Sequence, residues 1–330
     1  MILAGDIGGT KINLAGFEVA AGRLKAKVSD TFPSRDYSRL EDVVRLFLAG
    51  HRLKVEHACF GIPGPVKQGR SLLTNLGWTI DAQEVARGLG LGQVWLLNDL
   101  QANAYGVAAL SPEDFVSLND GNPDADGNQA IIAAGTGLGE GGMVRNGGRQ
   151  IAIASEGGHA DFAPRTDLDM ELFHYLRAQF GQVVWEHVLS GPGQFNIYKF
   201  LRDTKRGEEP AWLAAELRRD EPPPAVITRA ALAGKCRLCE QALDMFVTYY
   251  GAEAANLALK FMAAGGVFVG GGIAPKIIGK LKDGTFLKAF IGAGRMKSFL
   301  ETVPVRVILN EKTALLGAAR FAAMQTGQIS

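Results

Sequence analysis

Cysteine is scarce in this sequence, with only Cys59, Cys236 and Cys239 among 330 residues. Three cysteines cannot form a framework of paired disulfides, and such low usage is typical of a reducing compartment. The first residues also lack the basic segment of a secretory signal peptide, since the chain reaches an acid already at Asp6. We therefore expect a cytoplasmic protein that folds without disulfides.

An excess of charge of either sign is also missing, because 35 basic residues oppose 34 acidic ones. A nearly neutral chain has no long-range field to attract nucleic acid or an anionic membrane, so neither is expected as a partner. Long apolar runs are missing too, since the most apolar stretch, residues 257–274, contains Lys260 and several glycines. The sequence predicts a globular protein without a membrane-spanning segment.

Glycine, by contrast, is abundant, with 42 residues in the chain. This is well above the average usage of about 7%, and no collagen-like period or glycine-serine linker accounts for it. The glycines form clusters, most of them directly after apolar runs, at residues 5–9, 61–64, 135–142, 157–158, 191–193 and 265–272. Such clusters indicate places where the backbone closely approaches another group.

The hydrophobic pattern predicts an α/β protein that opens with three antiparallel strands at residues 1–7, 11–18 and 23–32. A helix at 40–53 and a strand at 57–62 follow. Further strands are predicted at 93–98, 129–134, 141–145 and 305–309. Helical segments are predicted at 80–89, 100–110, 169–180, 195–201, 211–218, 230–262 with interruptions, 276–281 and 314–324. Residues 117–126 are polar and rich in turn formers, and the first domain is expected to end near residue 110.

Two common nucleotide-binding motifs are excluded. Residues Gly137, Gly139 and Gly142 match the spacing of the dinucleotide fingerprint, but strand and turn residues follow them instead of the helix that this motif requires. Gly8-Gly9-Thr10-Lys11 lacks the first glycine and the final hydroxyl of a P-loop. The sequence therefore disfavours a nicotinamide enzyme and a P-loop NTPase.

The segment Asp6-Ile7-Gly8-Gly9-Thr10 places a carboxylate at a strand end, followed by two residues without a Cβ and a hydroxyl. Such a turn directs backbone N–H groups at phosphate oxygens while the carboxylate holds Mg²⁺, directly or through water. Taken alone, it would rather be interpreted as an ordinary hairpin turn. Similar glycine turns at Gly135–Gly137 and Gly270–Gly272, each after a predicted strand, favour the phosphate interpretation.

Together these motifs resemble the sugar-kinase branch of the actin-like ATPase fold and, within it, the bacterial glucokinases. Residues 6–10 are similar to the family's first phosphate loop, 135–139 to its second and 270–273 to its adenosine loop. Residues 97–99 resemble the strand end that carries the catalytic base, and residues 155–159 and 186–191 resemble the sugar-binding segments. The resemblance extends from residue 2 to about residue 320.

This resemblance implies a two-lobed actin-like ATPase (ribonuclease H-like) fold with the active site in the cleft between the lobes. Residues 1–110, completed by 305–330, are expected to form the small α/β lobe and residues 111–304 the large one. The implied reaction is ATP-dependent phosphorylation of glucose at its 6-hydroxyl, in an enzyme that is expected to be a homodimer. A catalytically weak sugar-sensing regulator on the same fold, or an actin-like filament protein, are the alternatives.

Asp99 is the candidate general base, because it is a carboxylate just past the end of an apolar strand. The alternative is that it caps the helix expected to start at Leu100, which is a common role for Asp. The other motifs favour the base.

The remaining site residues follow from the resemblance. Glucose binding is assigned to Asn75, Asn98, Asp99, Glu156, His159 and Glu186. ATP binding is assigned to Asp6, Gly8, Gly9, Thr10, Lys11, Gly135, Thr136, Gly137, Gly270, Gly271 and Gly272, with Asp6 on Mg²⁺. Roles without ligand binding stay open for four of these residues: a turn residue for Asn75, a structural histidine for His159, a solvated acid for Glu186 and a solvated strand residue for Lys11.

One departure concerns zinc. The related repressor and kinase (ROK) family combines a Glu-x-Gly-His segment with a downstream cysteine cluster that binds zinc, whereas residues 160–176 contain no cysteine here. Cys236 and Cys239 fall in a predicted helix without a second ligand pair, so we interpret them as two buried thiols and expect no structural zinc.

Overall fold

The computed structural model describes residues 1–122, 124–147 and 149–329, and these residues form two compact units. Unit 1 comprises residues 1–114, 141–154 and 310–330, and unit 2 comprises residues 115–140 and 155–309. Three residues lie outside the description: Pro123, in the stretch predicted to be rich in turns, Gly148, and Ser330, which ends the C-terminal segment.

The first 114 residues form a sheet with helices beside it. The strands are β1 (Ile2–Ile7), β2 (Lys11–Ala20), β3 (Arg23–Pro33), β4 (His57–Ile62), β5 (Arg70–Leu73), β6 (Trp78–Asp81) and β7 (Gln93–Asn98). The helices are α1 (Leu40–His51), α2 (Ala82–Leu89) and α3 (Asp99–Val107). Five strands pair in the order β3-β2-β1-β4-β7, and β5 and β6 form a separate antiparallel pair.

Strands β1, β4 and β7 are parallel neighbours, so their carboxyl ends share one edge of the sheet. Asp6 pairs with Gly61, and Gly61 in turn pairs with Leu97. The strands are apolar and buried, as expected for the middle of a sheet that is covered by other elements. The carboxyl edge carries Asp6 and Asn98 and is where open α/β sheets bind ligands.

The second part of the chain has six strands in one sheet, in the order β11-β10-β9-β12-β13-β8. These strands are β8 (Phe115–Asn119), β9 (Gln129–Ala134), β10 (Leu138–Asn146), β11 (Arg149–Ser155), β12 (Val267–Gly270) and β13 (Val305–Ile308). The helices are α4 (Asp167–Phe180), α5 (Gly191–Asp203), α6 (Ala211–Glu216), α7 (Pro223–Leu232), α8 (Arg237–Phe261), α9 (Ile278–Leu281), α10 (Thr285–Ile291), α11 (Lys297–Thr302) and α12 (Thr313–Gln325).

Two segments that are remote in sequence join the first 114 residues in unit 1. Helix α12 packs on α3, where Gly106 faces the backbone of Thr313. Residues 141–154, which the sequence pattern left in the second part of the chain, contact α3 as well. The amide of Gln101 donates to the carbonyl of Ala152 (3.2 Å), and the N–H of Ala152 donates to the hydroxyl of Tyr105 (3.4 Å).

Two predictions of secondary structure were wrong in part. Within 117–126, the turn-rich interpretation missed β8, which pairs with β13 at the edge of the sheet. The helix predicted at 80–89 starts at Ala82, because Asp81 ends β6 and caps α2 by accepting the N–H of Gln83 (2.8 Å). The helical segment predicted with interruptions at 230–262 is divided between α7 and α8, since the chain turns at Gly234 with φ of 64°.

In the part of the chain that the structure describes, no helix is both long and apolar enough to cross a membrane.

Candidate active site

The turn after β1 lies at the carboxyl edge of the unit 1 sheet. It is closed by a hydrogen bond from the N–H of Gly8 to the carbonyl of Lys11 (2.8 Å). The buried Ser34 stabilises this turn with two hydrogen bonds. Its hydroxyl donates to the carbonyl of Gly8 (2.7 Å) and its N–H donates to the carbonyl of Thr10 (3.0 Å). The turn is therefore rigidly held, while the side chains of Thr10 and Lys11 are exposed.

Asp6 precedes this turn with a half-buried carboxylate. The amide of Asn13, its neighbour on β2, donates to Oδ2 of Asp6 (3.3 Å). Burial raises the pKa of Asp6 in spite of this hydrogen bond. A nearby cation would offset the cost of burying this charge, so the residue suits a cation-binding role.

Asn98, at the end of β7, is committed to the helix that follows. Its Oδ1 accepts the N–H groups of Leu100 (2.9 Å) and Gln101 (3.4 Å), and the Gln101 side chain accepts the N–H of Asn98, which completes a capping box. Its amide also donates to the carbonyl of Gly64 (3.1 Å). Asn98 is only 4% exposed. Its amide nitrogen carries two hydrogens, and since the bond to Gly64 uses one, the other can be donated to a ligand.

This capping arrangement bears on Asp99. Helix α3 starts at Asp99 and is capped by Asn98, so the alternative of Asp99 as the N-cap is wrong. Asp99 is half-buried, its Oδ1 accepts the N–H of Leu100 (2.9 Å), and its Cα packs against Gly61, the pairing partner of Asp6. The fold thus brings Asp6 and Asp99 to the same edge of one sheet.

Asn75 lies in the turn between β5 and β6 and is exposed. A Cβ at Gly9 would lie 3.8 Å from both Cβ and Nδ2 of Asn75, so the two turns are in contact. The structure therefore brings Asn75 together with the turn after β1 in unit 1.

In unit 2, the turn after β9 is tied to Glu186. Oε2 of Glu186 accepts the N–H of Leu138 (2.8 Å), and a Cβ at Gly137 would lie 2.5 Å from the same oxygen. Within the turn, the N–H of Gly135 donates to the carbonyl of Gly137 (2.8 Å), and Gly135 accepts the N–H of Gly191 (2.8 Å). Glu186 is half-buried in this network, so the alternative of a solvated acid is wrong.

The glycine run after β12 lies beside the same turn. Gly271 has φ of 82°, and a Cβ there would overlap the backbone of Ala134, so only glycine fits. The buried hydroxyl of Tyr250 joins the two strand ends, because it accepts the N–H of Ala134 (3.1 Å) and donates to the carbonyl of Gly270 (2.9 Å). Sequence reasoning missed Tyr250, since nothing in the pattern of α8 marks it as polar-facing.

A cavity of about 1080 Å³ opens beside these two turns, within unit 2. Its lining is mostly apolar and includes Thr136, Gly272, Phe195 and Ile273. Its polar groups include Gln194 and Thr228, which form two mutual hydrogen bonds (3.0 and 3.1 Å). An apolar cavity with a few fixed polar groups is the common form of a site for a small molecule.

Residues 155–159, which resemble a sugar-binding segment of the family, include a short 3₁₀ turn, Gly157–His159, which follows Glu156. Glu156 and His159 are both exposed. His159 also lies near His187, whose pKa is lowered chiefly by burial and further by His159, against the opposing effect of Glu186. The structure therefore groups Glu156, His159 and Glu186 in unit 2.

Cys59, Cys236 and Cys239 are free and buried, as expected of thiols in the core. Among the described residues, no group of three or more His, Cys, Asp or Glu side chains could hold a metal ion.

Solved structures define the class to which this fold belongs, the sugar kinases of the actin-like ATPase fold. A glucokinase from an Antarctic psychrotroph superposes with a TM-score of 0.84 at 32% identity, covering 98% of each chain. A ROK family glucokinase from Streptomyces griseus, solved with glucose and AMPPNP, covers 98% of this chain and 99% of its own with a TM-score of 0.67, and its 22% identity shows the fold alone.

The family follows from the sequence comparison. The family model Glucokinase matches residues 3–325. The Glucokinase of Nostoc sp. (strain PCC 7120 / SAG 25.82 / UTEX 2576) is 40% identical over 98% of this chain and 99% of its own. The chain belongs to the Glucokinase family, which confirms the resemblance and the fold class predicted from the motifs.

Proposed function

We propose that this chain transfers the γ-phosphoryl group of ATP to the 6-hydroxyl of glucose, with Asp99 as the general base. Family membership over nearly the whole chain supports the reaction. The observation that carries the role of Asp99 is the capping box of α3, which Asn98 and Gln101 complete without it. The carboxylate of Asp99 therefore lies at the ligand-binding edge of the sheet without serving as the N-cap of α3.

Asp99 accepts the proton of the 6-hydroxyl while that oxygen bonds to the γ-phosphorus and the bond to the departing ADP oxygen breaks. The half-buried position of Asp99 restricts its motion, which favours a fixed approach of the hydroxyl. A positioned base of this kind contributes about 10²–10⁴ to the rate.

The two glycine turns bind the phosphates of ATP. Gly8, Gly9 and Thr10 in unit 1, and Gly135, Thr136 and Gly137 in unit 2, supply backbone N–H and hydroxyl groups to phosphate oxygens. Lys11, exposed beside the first turn, adds a positive charge. Asp6 fits Mg²⁺, directly or through water, because kinases hold this ion with one or two carboxylates and the phosphates. When bound, Mg²⁺ neutralises charge on the phosphates.

The adenosine part of ATP is assigned to the cavity of unit 2, beside Gly270, Gly271 and Gly272. Its apolar lining suits the flat face of a purine base, and the turn at 135–137 lies at its wall. Glucose hydroxyls are assigned to the polar side chains at the sheet edges: Asn75, Asn98 and Asp99 in unit 1, and Glu156, His159 and Glu186 in unit 2.

We further propose that the chain has two lobes, a small one of residues 1–110 and 305–330 and a large one of residues 111–304, which close on glucose. Closure excludes water from the γ-phosphate and limits ATP hydrolysis. Small-angle scattering tests this, because a smaller radius of gyration at saturating glucose is expected. An unchanged radius would indicate a rigid site.

A homodimer and a cytoplasmic location also belong to this proposal. Family resemblance supports the dimer, which light scattering at micromolar concentration measures directly. Three free thiols support a reducing location, where cysteines stay unpaired.

The test of the reaction is a coupled assay of ADP release with a panel of hexoses. We expect release that depends on glucose and is much slower with mannose and fructose, because each unpaired polar group in a hydroxyl-binding pocket costs about 1–3 kcal/mol. A sugar-sensing regulator would bind glucose without releasing ADP. Equal kcat/KM for all three hexoses would contradict the assignment of the pocket.

A further inference from the structure

Glu140, on β10, is a buried carboxyl group that the proposed reaction does not use. It is 1% exposed, and neither of its oxygens has a hydrogen-bond partner among the described residues. A buried polar group without a partner is costly, so it needs a specific explanation.

The first residues of β10 support both sugar-binding segments of unit 2. The N–H of Leu138 donates to Glu186 (2.8 Å), and a Cβ at Gly158 would overlap the carbonyl of Leu138. A Cβ at Gly157 would likewise overlap Oε2 of Glu140. The carboxyl group of Glu140 is therefore in direct contact with the backbone of the turn that presents Glu156 and His159.

Charged groups of helix α8 act on Glu140, and the neighbouring sugar-binding segments carry further titratable groups. Glu253 on α8 is fully buried and accepts hydrogen bonds from Asn256 (2.6 Å) and Lys260 (3.3 Å). The turn carries Glu156 and His159, and the segment beside Leu138 carries Glu186 and His187. Burial, followed by the charge of Glu253, raises the pKa of Glu140 to about 8, while Lys260 acts in the opposite direction.

We propose that Glu140 is a positioning residue for glucose: its uncharged carboxyl group, packed under Gly157, sets the turn of Glu156 and His159, and ionisation of Glu140 displaces this turn and weakens glucose binding. This inference rests on the proposed function, because it concerns the same sugar site. An ionised Glu140 would be an unpaired charge beside Glu253. We expect the turn to move in response to this charge rather than α8, since the turn is short and carries exposed side chains, whereas α8 is long and largely buried.

The consequence is a linkage between glucose and a proton. Glucose binds the form with neutral Glu140, so its affinity is highest below pH 8 and falls as the pH rises above it. If the ionised form binds poorly, the dissociation constant rises up to tenfold for each further pH unit. At pH 8.5, glucose binding then takes up a fraction of a proton.

The experiment measures glucose dissociation constants by calorimetry from pH 6.5 to 9.5 for the wild type, Glu140→Gln and Glu208→Gln. Glu208 is an exposed acid of the same unit and serves as the matched control. We expect the dissociation constant to rise at least fivefold between pH 7.5 and 9 in the wild type and in the control. In Glu140→Gln, which stays neutral, it should be independent of pH.

A flat profile in the wild type, or the same rise in Glu140→Gln, would overturn the proposal. If Glu140→Gln does not fold, calorimetry of the wild type at pH 8.5 in two buffers of different ionisation enthalpy decides, because proton uptake on glucose binding is required. The ADP-release assay at pH 7 separates this inference from the proposed function. No release there defeats both, whereas normal release with a flat pH profile defeats only the role of Glu140.

Discussion

In unit 1, the glycine turn after β1 lies at a sheet edge that also carries two carboxylates, Asp6 and Asp99. In unit 2, the glycine turn after β9 lies beside an apolar cavity, and the carboxylate of Glu186 is engaged in holding the turn itself. Both turns are built on glycine, but their surroundings differ in chemistry. If the proposed function holds, we expect a division of work, in which unit 1 supplies the reacting groups and unit 2 supplies most of the binding surface.

The same contrast applies to how each turn is held. A hydroxyl, that of Ser34, supports the first turn, while a carboxylate and a buried tyrosine hold the second. Hydrogen bonds to a charged acceptor are worth about twice those between neutral groups. We therefore expect the second turn to tolerate change less than the first.

The largest effect is expected for Asp99→Asn in unit 1. This change keeps the shape of the side chain and removes the base, so kcat should fall by about 10²–10⁴. Steady-state kinetics with glucose and ATP measure it, with Asp36→Asn, an exposed acid of the same unit, as the control. Turnover like that of the wild type would exclude Asp99 as the base.

A smaller but still large effect is expected for Gly137→Ala in unit 2. The new methyl group would lie 2.5 Å from Oε2 of Glu186, so this carboxylate must shift, and we expect it to lose the charge-assisted hydrogen bond to Leu138. Losing such a bond costs about 1.5–3 kcal/mol, which corresponds to a rise of about 10–100-fold in KM for ATP and glucose.

The control for this variant is Gly279→Ala, where a Cβ meets open space. It should leave both KM values unchanged. If Gly137→Ala behaves like the control, the second turn does not depend on Glu186.

Glu156→Ala should separate the two substrates. It removes an exposed side chain assigned only to glucose, so KM for glucose should rise about tenfold while KM for ATP changes less than about twofold. Initial rates at varied glucose and at varied ATP measure the two values, with Glu208→Ala as the control. Equal increases in both would show that Glu156 is not a group specific for the sugar.

The smallest effect is expected for Ser34→Ala. It removes the hydroxyl that supports Gly8, at a cost of about 0.5–1.5 kcal/mol, typical of a neutral hydrogen bond. Thermal unfolding should detect a small loss of stability, and KM for ATP should rise only a few-fold. Ser29→Ala, at an exposed position of β3, should change neither. An effect as large as that of Gly137→Ala would remove the contrast between the two turns.

The sequence predicted the central strands well, because their apolar runs are short and bounded by glycine or polar residues. β1, β4, β7 and β9 all lie where the pattern placed them. β8 was missed since Ser117 and Asn119 give it a polar appearance, and it is a strand only because β13 pairs with it. β11, α10 and α11 were not predicted at all, which shows that tertiary context decides such short elements.

At the site, the sequence identified the residues that end strands but not the residues that hold them. Ser34 is 26 residues from Gly8 and Tyr250 is 116 residues from Ala134, and no local pattern reveals such partners. For Asp99 the sequence left open whether the residue is the base or the N-cap of the helix, and it did not identify Asn98 as the cap. Only the hydrogen bonds of the folded chain decide this.

The most direct test of the division of work is equilibrium glucose binding to Asp99→Asn and Glu156→Ala, measured side by side by calorimetry at pH 7. The account predicts that Asp99→Asn binds glucose within about threefold of the wild type although it turns over poorly, and that Glu156→Ala binds about tenfold more weakly, the worth of one charged hydrogen bond. Loss of binding in Asp99→Asn, together with normal binding in Glu156→Ala, would contradict it.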